Sequence, residues 1–199
     1  MAGRARVGVL ALQGDVREHT SVLSELDVEV TSVRTVGDLS AVDGLVLPGG
    51  ESSVIDKLSR MFGVADPIRQ AIDSGLPVFG TCAGLIMLAE RLVDGIAGQQ
   101  TFGGLDVTVQ RNAFGSQTDS FETDLDIPEL GAPPVHAVFI RGPVVTQTGP
   151  HVRVLSEIDN RRIVAVEERN IIATSFHPEV TGERRFHERF IERVRSQAS

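Results

Sequence analysis

Short apolar runs alternate with amphipathic stretches along the first half of the chain. The run "RVGVLALQG" is apolar and β-branched and stops at a glycine, which is typical of a strand. The following "DVREHTSVLSEL" begins with Asp15 as a predicted N-cap and carries one apolar helical face: Val16, Val22, Leu23 and Leu26. The alternation continues with strand-like "VEVTSV", "GLVLPGG" and "LPVFG", and with helix-like "SVIDKLSRMF", "PIRQAIDS" and "AGLIMLAERL". The pattern predicts a mostly parallel sheet covered on both faces, with ligands at the carboxyl ends of its strands.

The pattern changes from about Gly103 onward. Strand-like runs follow one another with few helices between them: "LDVTVQ", "AVFIRGPVV", "VRVLSEI", "RIVAVEER" and "IIATSF". This predicts that antiparallel strands are added to the sheet. Residues 111–134 are polar and Asp-rich, and we expect a long surface loop there. A last helix is expected from about Gly182 to Arg195.

Composition narrows the class of protein. A chain of 199 residues with 41% hydrophobic residues suits a single domain over residues 1–199. One cysteine cannot close an intrachain disulfide, and neither a signal peptide nor a membrane-length apolar stretch is evident, so we expect a cytoplasmic protein without membrane contact. The net charge of -8, with no basic run longer than Arg161-Arg162 or Arg184-Arg185, argues against a nucleic-acid partner.

The lone cysteine lies in "GTCAG", between a predicted strand and a predicted helix. A G-x-C-x-G pattern in that context is typical of a sharp turn that presents a nucleophile. Cys82 would then stand at the first turn of a helix, whose N–H groups favour the thiolate, and the glycines would permit a strained turn and close approach of a substrate. A lone cysteine is also commonly a small buried hydrophobic residue. The pattern alone leaves both interpretations open.

A thiolate nucleophile requires a base, and "SFHPEV" offers one. Pro178 favours an extended His177, so Glu179, two residues on, would lie on the same face and hold one imidazole nitrogen. With Cys82 this predicts a nucleophile, a base and an orienting carboxylate; the alternative is a surface turn after a strand. The other histidines lack such a motif: His19 and His187 are predicted as solvated or packing residues, the former on the polar side of its helix, and His136 and His151 lie in strand or loop stretches.

The stretch "LPGGES" follows a predicted buried strand. Its two glycines could expose backbone N–H groups that hold a tetrahedral oxyanion. A simple turn with an N-cap at Ser52 or Ser53 requires the same residue types. The two interpretations are compatible.

With these three motifs in this order, the chain resembles the class I, triad-type glutamine amidotransferases. The stretches "VGVLALQGDVREH", "PGGESS", "GTCAGLI", "RNAFGSQ", "FIRGP" and "ATSFHPE" are similar, more narrowly, to the family of glutaminase subunits of pyridoxal 5'-phosphate synthases, over about residues 7–194. The resemblance implies a flavodoxin-like, three-layer α/β/α sandwich. It also implies hydrolysis of L-glutamine to glutamate and ammonia through a cysteine thioester, with the ammonia passed to a synthase subunit that makes pyridoxal 5'-phosphate, the active form of vitamin B6, from ribose 5-phosphate and glyceraldehyde 3-phosphate.

The resemblance also assigns roles to residues. It makes Cys82 the nucleophile, His177 the base and then the acid, and Glu179 the orienting carboxylate. The glutamine site would comprise Gly50, Glu51, Ser52, Arg111, Ile140 and Arg141. The oxyanion donors would be Gly49 and the N–H of Ala83, and Gln13 would lie at the contact with the synthase. Without the resemblance, we would interpret three of these residues as ordinary surface charges: Glu51, Arg111 and Arg141. We would interpret Gln13 as a polar residue at a strand end.

The implied partner is a synthase subunit in a large hetero-oligomer, with a dodecameric synthase core. No metal is implied, and no cofactor is expected on this chain, because it lacks a phosphate-binding glycine loop and the product would bind the partner. Ser116 and Gly142 depart from the arginine and alanine of many relatives, which concerns only the substrate loops. Two other functions stay open: a glutaminase for another acceptor, and a catalytically silent assembly subunit.

Overall fold

Strands and helices alternate along the first half of the chain in the computed structural model, which describes residues 4–113, 120–159 and 161–197. The strands are β1 (Arg6–Leu10), β2 (Glu29–Val33), β3 (Gly44–Leu47), β4 (Val78–Thr81), β5 (Ala89–Val93), β6 (Leu105–Gln110), β7 (Ser120–Leu125), β8 (Val135–Ile140), β9 (Val144–Thr148), β10 (Arg153–Ile158), β11 (Arg162–Glu168) and β12 (Ile171–Thr174). The helices are α1 (Val16–Ser24), α2 (Val36–Ser40), α3 (Ser52–Met61), α4 (Ala65–Asp73), α5 (Ala83–Leu88), α6 (Pro178–Thr181) and α7 (Arg185–Gln197), with a 3-10 turn at Pro128–Leu130. No helix within these ranges is long and apolar enough to cross a membrane.

A mixed sheet forms the centre of the fold. In the described residues it has ten strands, in the order β2-β1-β3-β4-β12-β11-β9-β6-β5 with β10 paired to β11. The strands from β2 to β12 are mutually parallel. Beyond them, β11 is antiparallel to β12, β9 and β10, β6 is antiparallel to β9, and β5 is parallel to β6. The prediction of a mostly parallel sheet with added antiparallel strands is confirmed.

Helices cover both faces of the parallel strands, because alternate side chains enter two separate cores. In β3, Leu45 and Leu47 enter one core and Val46 the other; in β4, Val78 and Phe79 divide in the same way. The first core is completed by helices α2 to α5, and the second by α1, α7 and the β7-β8 hairpin. Burial on both faces explains why these strands are continuous apolar runs in the sequence. The three-layer α/β/α arrangement is therefore confirmed.

The prediction of a loop over residues 111–134 is wrong for the part that forms β7. Ser120–Leu125 forms β7, which pairs antiparallel with β8. Its inward side chains, Phe121, Thr123 and Leu125, alternate with exposed acidic residues, and the acidic character conceals this two-residue period in the sequence. Residues 114–119, including Ser116, lie outside the described residues.

Two other boundaries differ from the predicted pattern. The stretch predicted as one helix, "AGLIMLAERL", is helical only to Leu88, and Ala89–Val93 pairs in parallel with β6. Pairing with a neighbouring strand outweighs local helix propensity there. The sequence pattern also missed α2, although Thr35 and Asp38 form a reciprocal capping box at its start.

A buried carboxylate ties α7 to the antiparallel strands. Glu167 of β11 is 6% exposed and accepts hydrogen bonds from Arg189 at 2.9 and 3.0 Å. Arg193 also donates to Glu167, and Arg153 of β10 does so at 3.4 Å. One carboxylate thus bridges guanidinium groups from a strand and a helix.

We expect Glu167→Gln to destabilise the protein by about 3 kcal/mol, because it leaves partly buried arginines without their counter-charge. Urea unfolding measures the change. The control is Glu157→Gln, which removes the same charge from an exposed position on β10 and should stay within about 0.5 kcal/mol of the unmodified protein. Equal unfolding midpoints for the two variants would contradict this role of Glu167.

Candidate active site

The predicted functional segments meet at one edge of the sheet. Gln13 follows β1, Gly49 follows β3, Cys82 follows β4 and His177 follows β12. These strands are parallel neighbours in the order β1-β3-β4-β12, so their carboxyl ends lie side by side. The predicted placement of the motifs at strand ends is confirmed.

Cys82 lies on a sharp strand-to-helix turn. Its φ of 49° and ψ of -102° are unusual for a residue with a side chain, and its N–H donates to the Thr174 carbonyl at 2.8 Å. The flanking glycines are required by close packing: a Cβ on Gly84 would lie 2.2 Å from the Leu47 carbonyl oxygen, and one on Gly80 would lie 2.8 Å from the Gly84 carbonyl carbon. The thiol is 7% exposed and lines a cleft.

His177 and Glu179 form the predicted pair by a different local structure. The Nδ1 of His177 lies 2.8 Å from Glu179 Oε1, and both side chains are nearly fully buried. The expected extended "HPE" is wrong, because Pro178 begins α6, at the position where proline fits a helix best, and Glu179 lies in its first turn. His177 precedes that helix, and its N–H donates to the Val138 carbonyl at 3.1 Å.

The electrostatics favour a protonated imidazole. Burial lowers the pKa of His177, but hydrogen bonds with Asp15, Cys82 and Glu179 outweigh it and raise that pKa well above the usual range. Burial raises the pKa of Glu179, and the contact with His177 opposes this effect. A protonated imidazole beside the Cys82 sulfur is the partner that a thiolate requires.

Asp15 has a different role from the predicted one. It occupies the N-cap position of α1, but its side chain makes no capping hydrogen bond. Its Oδ2 instead lies 3.3 Å from Nδ1 of His177, as a second carboxylate on the same nitrogen. The sequence pattern missed this contact; the signal was the position of Asp15 in the loop between β1 and α1, at the same edge of the sheet as the other motifs.

The cleft beside Cys82 has a volume of about 360 Å³. All six residues predicted for the glutamine site line it: Gly50, Glu51, Ser52, Arg111, Ile140 and Arg141. Inside it, Arg111 and Glu51 form an ion pair. Ile86 and Asn112 also line it and were not predicted.

The "LPGGES" segment forms one wall of this cleft. Glu51, not Ser52 or Ser53, is the N-cap of α3, and its carboxylate accepts the Ser53 N–H. The Gly49 carbonyl accepts the Asp15 N–H at 3.0 Å, and the Glu51 N–H donates to Gln13 Oε1 at 2.7 Å. The segment is therefore bonded to the loop after β1. That Gly49 and Ala83 donate to an oxyanion stays a prediction.

The remaining histidines divide between the core and the surface. His19 and His187 are fully buried, so the packing alternative is confirmed and a solvated, polar-face position for His19 is wrong. His19 lies three residues from both Val16 and Val22, which places it on the apolar face of α1. His136 is exposed between Asp124 and Glu122. A wider groove of about 760 Å³ there is lined by acidic side chains but by none of the predicted site residues.

Known proteins resemble this chain over nearly its whole length. A family model described as the SNO glutamine amidotransferase family matches residues 9–196. A protein of Leifsonia xyli subsp. xyli named pyridoxal 5'-phosphate synthase subunit PdxT is 61% identical over 194 residues, covering 98% of each chain. A protein of the same name from Clavibacter sepedonicus is 62% identical over 188 residues, 94% of this chain and 90% of that one. A crystal structure described as a glutamine amidotransferase has a TM-score of 0.87 and 44% identity, covering 94% of this chain and 98% of that one.

We expect Gly84→Ala to distort the turn at Cys82, because the added Cβ would collide with the Leu47 carbonyl oxygen. The variant should lose about 1–3 kcal/mol of stability, and its thiol should react with iodoacetamide at least about tenfold more slowly. Cys82 is the only cysteine in the sequence, so labelling reports on it alone.

Gly37→Ala is the matched control. Its Cβ would lie 3.7 Å from Thr35 Oγ1 in the short helix α2, with no backbone in the way. Labelling and stability of that variant should stay close to those of the unmodified protein. If Gly84→Ala behaved in the same way, the packing argument for the turn would be wrong.

Proposed function

Because this chain belongs to the SNO glutamine amidotransferase family, we propose that it hydrolyses L-glutamine and supplies the ammonia for synthesis of pyridoxal 5'-phosphate. The resemblance found from the motifs is confirmed by the family match and by relatives named pyridoxal 5'-phosphate synthase subunit PdxT. The observation that carries the proposal for this chain is the cluster of Cys82, His177 and Glu179 beside a cleft. These names favour this acceptor over another one, and the intact cluster argues against a silent subunit.

The proposed reaction has two steps. The Cys82 thiolate attacks the carboxamide carbon of glutamine, a C–S bond forms, and the C–N bond breaks as His177 gives its proton to the leaving ammonia. Neutral His177 then takes a proton from water, whose oxygen attacks the thioester and releases glutamate and the thiolate. Glu179 holds the imidazole through Nδ1, which leaves Nε2 for these transfers.

The polar groups of the cleft match the two charged ends of glutamine. We assign Glu51 to the α-ammonium and Arg111 to the α-carboxylate, with Gly50, Ser52, Ile140 and Arg141 completing the site. The ion pair of Glu51 with Arg111 supports this assignment, since the two charges already lie within reach of each other. When glutamine binds, its α-ammonium would replace Arg111 as the partner of Glu51, and its α-carboxylate would replace Glu51 as the partner of Arg111.

The backbone completes the proposed machinery. The N–H groups of Gly49 and Ala83 are assigned to the tetrahedral oxyanion, and the loss of one such donor typically costs about a hundredfold to a thousandfold in rate. Gln13 is assigned to the contact with the synthase. Its bond to the Glu51 N–H supports a role next to the substrate wall.

The acceptor of ammonia is proposed to be a separate synthase subunit in a cytoplasmic hetero-oligomer with a dodecameric synthase core. Pyridoxal 5'-phosphate would bind that subunit, so this chain would use no cofactor. No metal is assigned either. Donor atoms of Asp15, His177 and Glu179 lie within 4.8 Å of one another, but hydrogen bonding at His177 Nδ1 accounts for that spacing.

The primary test is glutamate release from L-glutamine by the purified chain, with and without the pyridoxal 5'-phosphate synthase subunit of the same organism. We expect strong stimulation by the partner, and a loss of at least about 10⁴-fold in Cys82→Ala because the nucleophile is gone. Thermal unfolding and partner binding of Cys82→Ala should match those of the unmodified protein. Activity indifferent to the partner would indicate another acceptor, and no activity in either condition would indicate a silent subunit.

The coupled thiolate and imidazolium predict a bell-shaped pH dependence of kcat/KM, whose limbs belong to the pair. Since contacts raise the pKa of His177, the alkaline limb of the profile should lie well above the ordinary histidine value of 6.5. Glu179→Gln removes one of those contacts and should move that limb down by about one pH unit or more. Glu18→Gln, an exposed change on α1, is the control. A flat profile with chemistry shown to be rate-limiting would contradict the assignment.

A further inference from the structure

Two buried histidines outside the cleft connect to the triad carboxylate. His19 of α1 and His187 of α7 are both 0% exposed, and their Nδ1 and Nε2 atoms, respectively, lie 2.9 Å apart. His19 Nε2 lies 3.0 Å from Thr81 Oγ1, which in turn lies 3.4 Å from Glu179 Oε1. His19 Nε2 is also 3.5 Å from that same carboxylate oxygen. His187, His19 and Thr81 therefore form a continuous row of polar groups, the polar file, that runs from α7 to Glu179.

Burial favours the neutral form of both imidazoles. Burial lowers the pKa of His19 strongly, and the neighbouring His187 and His177 lower it further. Burial lowers the pKa of His187 to about 4, although the backbone and charge of Glu183 act in the opposite direction. Phe79 packs against both rings at right angles, with centroids 6.2 and 5.1 Å away. Each neutral ring offers one donor and one acceptor.

The direction of the file follows from the carboxylate. An ionised Glu179 only accepts hydrogen bonds, so Thr81 donates to Oε1, His19 Nε2–H donates to Thr81, and His187 Nε2–H donates to His19 Nδ1. The reverse order would set lone pairs of Thr81 and His19 against Glu179 Oε1 at 3.4 and 3.5 Å. The inferred order places the lone pair of His187 on Nδ1, a buried atom that makes no hydrogen bond among the described residues. The Glu183 backbone favours a proton on this ring, so the opposite tautomer is the alternative that nitrogen chemical shifts distinguish.

We propose that Thr81, His19 and His187 are positioning residues, a buried file of hydrogen-bond donors that keeps Glu179 ionised and aimed at His177. This inference rests on the proposed function of the Cys82 site. Burial alone disfavours the Glu179 charge, and donors to the ionised form offset that cost. Neutral donors do so without adding a cation, which would compete with His177 for the carboxylate. Thr81 ends β4 directly before Cys82, so the file also joins the carboxylate to the nucleophile's strand.

Thr81→Val tests the link nearest to Glu179, because it keeps the shape of the side chain and removes the hydroxyl. Without that donor the imidazolium of His177 is less favoured, so the thiolate forms only at higher pH. The pH midpoint of iodoacetamide labelling at Cys82 should rise by about one unit. In the assembled enzyme the acid limb of the kcat/KM profile should move to higher pH and the alkaline limb to lower pH. The KM for glutamine should change little. Thr81→Ser, which restores the hydroxyl, should return both profiles to those of the unmodified protein.

His19 supplies an independent pair of variants. His19→Leu should shift the labelling midpoint in the same direction, and His19→Gln, whose amide can donate near the position of Nε2, should reduce that shift. Phe190→Leu is the control: it disturbs the same core at a residue outside the file, so it should lower stability without moving the midpoint. A merely structural role for the file would make Thr81→Val and His19→Leu behave like Phe190→Leu, and the proposal would then be wrong.

The unmodified protein provides a test that does not depend on the folding of variants. Nitrogen chemical shifts of ¹⁵N-labelled histidine should show His19 and His187 both neutral and both protonated at Nε2. Protonation at Nδ1 in both rings would overturn the inferred order. Labelling and chemical shifts require no glutamine turnover, so this proposal can succeed or fail separately from the proposed function.

Discussion

The backbone turn at Cys82 is the constraint on which the site depends. A residue with a side chain holds a positive φ there, so the surrounding chain must compensate for a conformation that costs of order 1–3 kcal/mol. Contacts too close for any Cβ at Gly80 and Gly84 press the start of α5 against the end of β3. Since β3 and β12 flank β4 in parallel, the same packing brings the glycine loop after β3 and His177 beside the thiol. The order of the parallel strands, together with this close packing, thus brings these strand ends into one site.

The second constraint is the burial of charge. His177 and Glu179 are almost inaccessible to water, so their charges require protein contacts in place of solvent. Asp15 lies near the imidazole, which is bonded to Glu179, and neutral groups reach the carboxylate from the opposite side. Asp15 and His177 line the cleft, whereas Glu179, Thr81 and His19 do not.

The sequence predicts the strands that a local apolar pattern determines. It misses the strands that form because of pairing with a neighbouring strand. Strands buried on both faces are continuous apolar runs, so β1, β3, β4 and β12 and the motifs at their ends are predictable. The strands β5 and β7 are not, because pairing with β6 and β8 decides them and their own residues are partly polar. Helical spacing from Val16 and Val22 was sufficient to place His19 inside, but the polarity of histidine suggested the surface. The residues proposed for the glutamine site followed from the resemblance alone, since Glu51 and Arg111 carry no periodic signal.

The parallel strands contribute one part of the candidate site, and the antiparallel side of the sheet and the β7-β8 hairpin contribute another. Cys82, His177 and Glu179 lie at the ends of the parallel strands, are nearly buried, and are held by the packing of two cores. Arg111 follows β6 on the antiparallel side of the sheet, whereas Arg141 follows β8 of the separate hairpin and is exposed. Loops on the antiparallel side can change in length and sequence with little effect on the buried cluster. The proposed nucleophile and base therefore come from the parallel half, and the proposed glutamine contacts come both from the loop after β3 and from residues that follow β6 and β8.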